Sequence, residues 1–202
     1  MFLIGAQGPL EAILTVPTSM DQGTFALLGH PHSLYGGSMK NKVVTTLARA
    51  FEACHIGSLR FNFRGVGQSA GVYDAGVGES EDMLAVADLC RAALPDVRLV
   101  FAGFSFGSFV AYRAAAQTPH ALLLSVAPPV QHFDHTLFEK IPTPWVIVQP
   151  EEDEVVPLSL VMDYVAKSPT PIPCVRIPQA GHFFHGQLSV LKSALINIIS
   201  DL

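Results

Sequence analysis

Apolar positions along the chain follow two periods that alternate. Leu10 to Val16 and Thr24 to Leu28 are short apolar runs bounded by glycine and proline, which predicts strands. From Asn41 to Cys54 the apolar residues Val43, Val44, Leu47, Ala50 and Phe51 recur at helical spacing. Ile56 to Phe63 returns to a period of two, with Phe61 and Phe63 on one face and Arg60 and Asn62 on the other. Glu79 to Ala93 predicts a helix that turns Leu84, Ala87, Leu89 and Ala93 toward a core and stops before Pro95. Val97 to Ala102 reads as a strand, and Phe106 to Gln117 as a small-residue helix ended by Pro119. Ala121 to Val126 and Trp145 to Gln149 are strands, Leu158 to Ala166 a helix, Cys174 to Ile177 a strand, and Leu188 to Leu202 a closing helix.

Strands alternating with helices at this spacing imply βαβ units. The central strands are almost continuously apolar, as strands covered on both faces must be. The expected fold is therefore α/β: a mostly parallel sheet between two helical layers, with an antiparallel hairpin at the start. Neither an internal repeat nor a linker composition interrupts the 202 residues, so one domain, 1–202, accounts for the chain.

Composition narrows the functions. Half of the residues are hydrophobic and 14% are charged, too apolar a mixture for a disordered chain. The net charge is −5 with no block of like charge, which argues against nucleic acid or an anionic membrane as partner. No apolar run approaches the roughly 20 residues of a membrane span. Met1-Phe2-Leu3-Ile4 begins like a signal core, but lacks a basic start and is interrupted by Gly5, Gly8, Pro9 and Glu11. The expected compartment is the cytoplasm. Cys54, Cys90 and Cys174 are odd in number and far apart, and read as reduced thiols.

The chemistry centres on Gly103-Phe104-Ser105-Phe106-Gly107, directly after a strand and before a helix. A Gly-x-Ser-x-Gly turn at the carboxyl end of a strand holds its serine clear of the sheet, with free helix N–H groups beside it. The alternative is a serine that only caps the helix it precedes. A nucleophilic serine needs a base and an acid to orient that base, in the chain order Ser, Asp or Glu, His. After Ser105, the strand ending at Gln149-Pro150 releases Glu151, Glu152, Asp153 and Glu154 into a loop. The strand ending at Ile177 is followed by Gly181-His182 and, three residues on, His185. In a parallel sheet all three loops emerge at one edge.

With these residues in view, the chain resembles the α/β-hydrolase superfamily, and within it the small lidless serine hydrolases allied to dienelactone hydrolase and simple carboxylesterases. The resemblance covers nearly the whole chain. It rests on Gly29-His30-Pro31-His32, Arg60 to Ser69, Gly103 to Gly107, Asp153 followed by Val156-Pro157, and Gly181-His182. It implies Ser105 as nucleophile, His182 rather than His185 as base, and Asp153 as orienting acid, although Pro150 stands where the family has glycine and the three neighbouring glutamates compete. It implies an oxyanion hole built from the Phe106 N–H and one N–H of the loop after an earlier strand. Pro31 has no N–H to give, so His32 is the expected second donor, with Ser33 behind it.

These assignments imply a carboxylic ester hydrolase acting through an acyl-serine on a small-molecule ester, without cofactor or metal. A thioesterase or small peptidase with the same three residues, or a non-catalytic binder on the same fold, are the alternatives. Monomer and homodimer are both open. His30 reads as a loop brace; His30 and His32 lack a third convergent ligand for a metal. Gly65-x-Gly67 opens no helix and does not read as a dinucleotide site, and Arg64 reads as a brace. Ala127 to Pro144 is too short for a cap domain. Phe104, Phe106, Pro128, Pro129, Phe133, Phe183 and Phe184 are candidates to line an acyl pocket, with His132 and His135 near its rim.

Overall fold

The computed structural model describes residues 1–20, 23–133 and 141–202. Eight strands form a single sheet: β1 (Phe2–Gly5), β2 (Gly8–Thr15), β3 (Thr24–Gly29), β4 (Gly57–Phe61), β5 (Arg98–Phe104), β6 (Leu122–Val126), β7 (Trp145–Pro150) and β8 (Cys174–Ile177). Their order across the sheet is β1-β2-β4-β3-β5-β6-β7-β8. β1 and β2 run antiparallel to their neighbours, and all pairs from β4 through β8 are parallel. The five helices are α1 (Lys42–Ala53), α2 (Val77–Ala93), α3 (Phe106–Ala115), α4 (Leu158–Lys167) and α5 (Leu188–Ile199).

Alternation along the central strands feeds two separate cores. Phe25 and Leu27 of β3, with Leu99 and Phe101 of β5, face α2, α3 and α4. Ala26 and Leu28, with Val100 and Ala102, face α1 and α5. Each large apolar side chain fully buried in this way contributes roughly 1.5–3 kcal/mol.

The chain order reverses between β3 and β5. From β3 the chain crosses to β4 on one side, whereas β5 to β8 run off the other. Ligands bind at such a switch point, outside the carboxyl ends of the strands. The register aligns Gly29 with Gly103, so the loops after β3 and β5 start level with one another.

Three elements differ from their sequence reading. The apolar start, to which the sequence reading assigns no element, is an edge strand, β1, hydrogen-bonded to β2. The strand expected over Ile56 to Phe63 ends at Phe61, because the N–H groups of Asn62 and Phe63 turn away to the Glu11 carbonyl and the His30 ring. Helix α2 buries Asp82, Met83, Val86 and Ala87, while Leu89 and Ala93 face solvent. The reason is polar: Asp82 turns inward to pair with buried Arg64 at 2.7 Å and to accept the Ala6 N–H. Glu79 turns inward to accept the N–H groups of Asp74 and Gly76. An apolar count cannot see a helix face held in by carboxylates.

Candidate active site

Ser105 follows the last residue of β5 and precedes α3 with φ 53° and ψ −124°. That conformation is strained for any residue with a side chain, and three contacts hold it. The Ser105 N–H donates to the Val126 carbonyl, and the Ser108 N–H and hydroxyl both donate to the Ser105 carbonyl. The glycines on either side allow the backbones to touch. A Cβ on Gly103 would lie 2.2 Å from the Gly107 carbonyl oxygen, and a Cβ on Gly107 would lie 2.3 Å from the backbone of Gly29. The hydroxyl of Ser105 makes no cap on α3.

His182 lies in the loop after β8, almost fully buried, with its Nε2 3.0 Å from Ser105 Oγ. Its Nδ1 is 2.9 and 3.0 Å from the two carboxylate oxygens of Asp153. Asp153 is buried and held from the other side. Its Oδ1 accepts the N–H groups of Val155 and Val156, and its Oδ2 accepts the side-chain amide of Gln149 at 3.3 Å. The same Gln149 amide donates to the Val156 carbonyl, which closes the acid loop on the end of β7. The three glutamates lie elsewhere. Glu154 accepts the backbone N–H of His182, Glu151 pairs with Arg176, and Glu152 is exposed. His185 makes no hydrogen bond to Ser105 or Asp153; its ring lies 6.0 Å from that of Phe183.

Beside Ser105 the loop after β3 carries His30 and His32. His30 is fully buried, with Nδ1 on the Pro31 carbonyl at 2.7 Å and Nε2 accepting the Phe63 N–H at 2.9 Å. Both ring nitrogens are thus spent on backbone, and the ring ties the β3 loop to the β4 loop. Burial pushes its pKa down to about 4. In the unfolded chain the ring takes a proton from about pH 6.5 downward, whereas the folded chain refuses it until about pH 4. Folding stability should therefore fall as the pH drops through this window, by up to about 3 kcal/mol. Urea midpoints at pH 7 and pH 4.5 check this: the decline should be shallower in His30→Asn, and an equal decline in both proteins would remove the assignment.

The N–H groups of His32 and Phe106 have no acceptor among the described residues, and both residues line the cleft above Ser105. That cleft has a volume of ≈ 640 Å³. Of the aromatics and prolines expected to line it, Phe106, Pro129 and Phe183 do so, and so does His132. Phe104, Phe133, Phe184 and Pro128 do not. Phe104 follows the strand alternation into the α1/α5 core, Phe133 stacks on Tyr112 at 4.6 Å, and Phe184 is turned into the interior by a φ of 53°. His135 lies outside the described residues. Arg64 is buried against Asp82 and braces the loop behind the site. No helix among the described residues is long and apolar enough to cross a membrane.

Comparison with known proteins agrees with this architecture. No family model matches the sequence. An uncharacterized protein of Rickettsia prowazekii is 31% identical over 205 residues, covering 96% of this chain and 86% of its own length. A solved α/β serine hydrolase homologue from Coxiella burnetii is 41% identical, covers 98% of this chain and 95% of its own, and superposes with a TM-score of 0.93. A second structure, a lidless α/β serine hydrolase from Xanthomonas campestris, is also 41% identical, with coverage of 98% and 91% and a TM-score of 0.92. The chain belongs to the lidless α/β serine hydrolases.

Two residues of this hydrolase's site escaped the sequence reading. Gln149 stands at the end of an apolar strand, where a fully buried amide is the unusual feature. Tyr73 stands alone among small residues in Gly71-Val72-Tyr73-Asp74-Ala75-Gly76, and its ring joins the cleft wall 5.7 Å from that of Phe106. An aromatic in a loop otherwise made of turn formers was the available signal.

Proposed function

We propose that this hydrolase cleaves small carboxylic esters through an acyl-serine. The observation that carries the reading is the continuous hydrogen-bonded line from Ser105 Oγ through both nitrogens of His182 to Asp153, mounted on a strained turn at the carboxyl edge of the sheet. The Asp153 carboxylate accepts the Nδ1 proton of His182, which leaves a lone pair on Nε2 facing the hydroxyl. Ser105 Oγ attacks the ester carbonyl carbon as its proton passes to Nε2, and the carbonyl π pair moves onto oxygen. The N–H groups of Phe106 and His32 then hold that oxyanion; a donor of this type is worth about 2.7–4 kcal/mol. The tetrahedral intermediate collapses, the C–O bond to the alcohol breaks, and Nε2–H protonates the leaving alkoxide. Water, deprotonated by His182, repeats the sequence on the acyl-serine and returns the proton to Ser105.

Three free cysteines fit a reducing compartment, and we place the enzyme in the cytoplasm. Short p-nitrophenyl esters and a fluorophosphonate probe test the reading. The probe should modify Ser105, located by peptide mass, and the esters should be turned over. An unmodified Ser105 together with an inert protein would favour a binding role. Faster turnover of thioesters or amides than of matched esters would move the activity to those classes.

A further inference from the structure

The cleft holds a polar pair that the ester mechanism does not use. Tyr73 Oη lies 3.0 Å from His32 Nε2, and the two rings are 5.0 Å apart. The direction of this bond follows from the other side of the imidazole. His32 Nδ1 accepts the Leu34 N–H at 3.3 Å, capping the short 3-10 turn over Ser33–Tyr35. An imidazole nitrogen that accepts has no proton of its own, so the proton of the neutral ring sits on Nε2. Burial pushes the His32 imidazole below its ordinary range, against a smaller upward pull from Glu79. Nε2–H therefore donates, and the Tyr73 oxygen accepts. The phenol hydrogen is left with no acceptor among the described residues, and Tyr73 lines the cleft beside Phe106. Burial and Glu79 also raise the Tyr73 pKa, which keeps that hydrogen in place.

The surrounding wall selects what can meet this donor. Among the described residues none of the cleft's lining side chains is Asp, Glu, Lys or Arg. The polar side chains Asn41 and Gln131 are neutral, and most of the wall is aromatic or aliphatic. A cationic substrate would leave water without a counter-charge and an anionic one would meet only imidazoles, those of His32 and His132, whereas an uncharged chain with one acceptor oxygen would satisfy the phenol. Resting on the ester reading above, we propose that Tyr73 is a specificity residue whose hydroxyl, oriented by His32, donates to an acceptor in the non-reacting part of a neutral ester. The substrate class is thus an uncharged ester carrying an ether, hydroxyl or carbonyl oxygen along an otherwise apolar chain.

The competing role is structural. Tyr73 could serve only to hold His32, and with it the loop whose N–H is assigned to the oxyanion. The two roles separate on matched substrates. On the acyl side these are p-nitrophenyl hexanoate and the three chain-matched esters with an ether oxygen in place of carbon 3, 4 or 5. On the alcohol side they are butyl hexanoate and 2-methoxyethyl hexanoate. In Tyr73→Phe, the kcat/KM of at least one ether ester should fall about three- to tenfold relative to that of its all-carbon parent, mostly in KM. Loss by one common factor in kcat across all the esters would overturn the proposal and leave Tyr73 as a brace; no change in any would overturn it outright. Turnover of the two parent hexanoates by the native enzyme keeps this separate from the ester reading, which fails if those parents and the fluorophosphonate probe are both inert.

Discussion

Ser105→Ala should lower kcat on short p-nitrophenyl esters by on the order of 10⁵- to 10⁶-fold, with KM nearly unchanged. The fold should barely notice. Ser105 Oγ makes no cap on α3, and the bonds that fix the turn are made by its backbone N–H and carbonyl, which alanine keeps. The same backbone gives a second readout. A residue with φ 53° and ψ −124° stores strain that glycine would not, so Ser105→Gly should be more stable than Ser105→Ala by about 1 kcal/mol. Urea unfolding of the two variants measures this, and ester kinetics measures the first effect. A serine that merely capped a helix would give the opposite pair of results: stability lost by about 1 kcal/mol and turnover retained. Residual activity within tenfold of the native enzyme would end the nucleophile assignment.

What could be read in advance divides along a physical line. The order of the loops was legible, because each of Ser105, Asp153 and His182 stands just past an apolar strand, and parallel strands deliver their loops to one edge. Which acid meets His182 was not legible from spacing alone. Four carboxylates share the loop after β7, and the choice is made by backbone direction: the N–H groups of Val155 and Val156 and the Gln149 amide converge on residue 153. Side chains whose roles are polar but buried were the harder class. Leu89 was expected inside and is 42% exposed, because Asp82 and Glu79 take the inner face of α2 to serve Arg64 and loop N–H groups. Phe133 and Phe184 were candidates for the cleft and instead fill cores, since an aromatic side chain carries no mark in sequence of which surface it will cover. The neutral tautomer of His32, on which the Tyr73 proposal turns, exists only as a set of distances.

Gly107→Ala should be among the most damaging single-methyl changes in the protein. Gly107 packs where α3 crosses the end of β3, and its Cβ would meet the Gly29 carbonyl carbon and oxygen at 2.3 Å and the His30 oxygen at 2.6 Å. These are backbone atoms of strand β3 and of the loop braced by His30, so none can swing aside as a flexible side chain would. The helix or the strand must move by an ångström or more. Overpacking of this kind costs about 3 kcal/mol or more, which in a domain of this size lowers Tm by roughly 6–12 °C. The shift also lands on the site, since the same crossing fixes Ser105 against His182 on one side and the loop of His32 on the other. A displacement of about 1 Å there is worth about a hundredfold in rate, so the fraction that still folds should be slow as well as unstable. Gly186→Ala supplies the contrast. Gly186 has φ 73° and open space around its Cβ position, so alanine there meets strain without a clash. It should cost about 1 kcal/mol and leave kcat alone. Thermal melts with parallel ester assays compare the two. A Gly107→Ala protein as stable as Gly186→Ala would mean that strand β3 and helix α3 do not meet backbone to backbone, and the strained turn that aims Ser105 would lose its support.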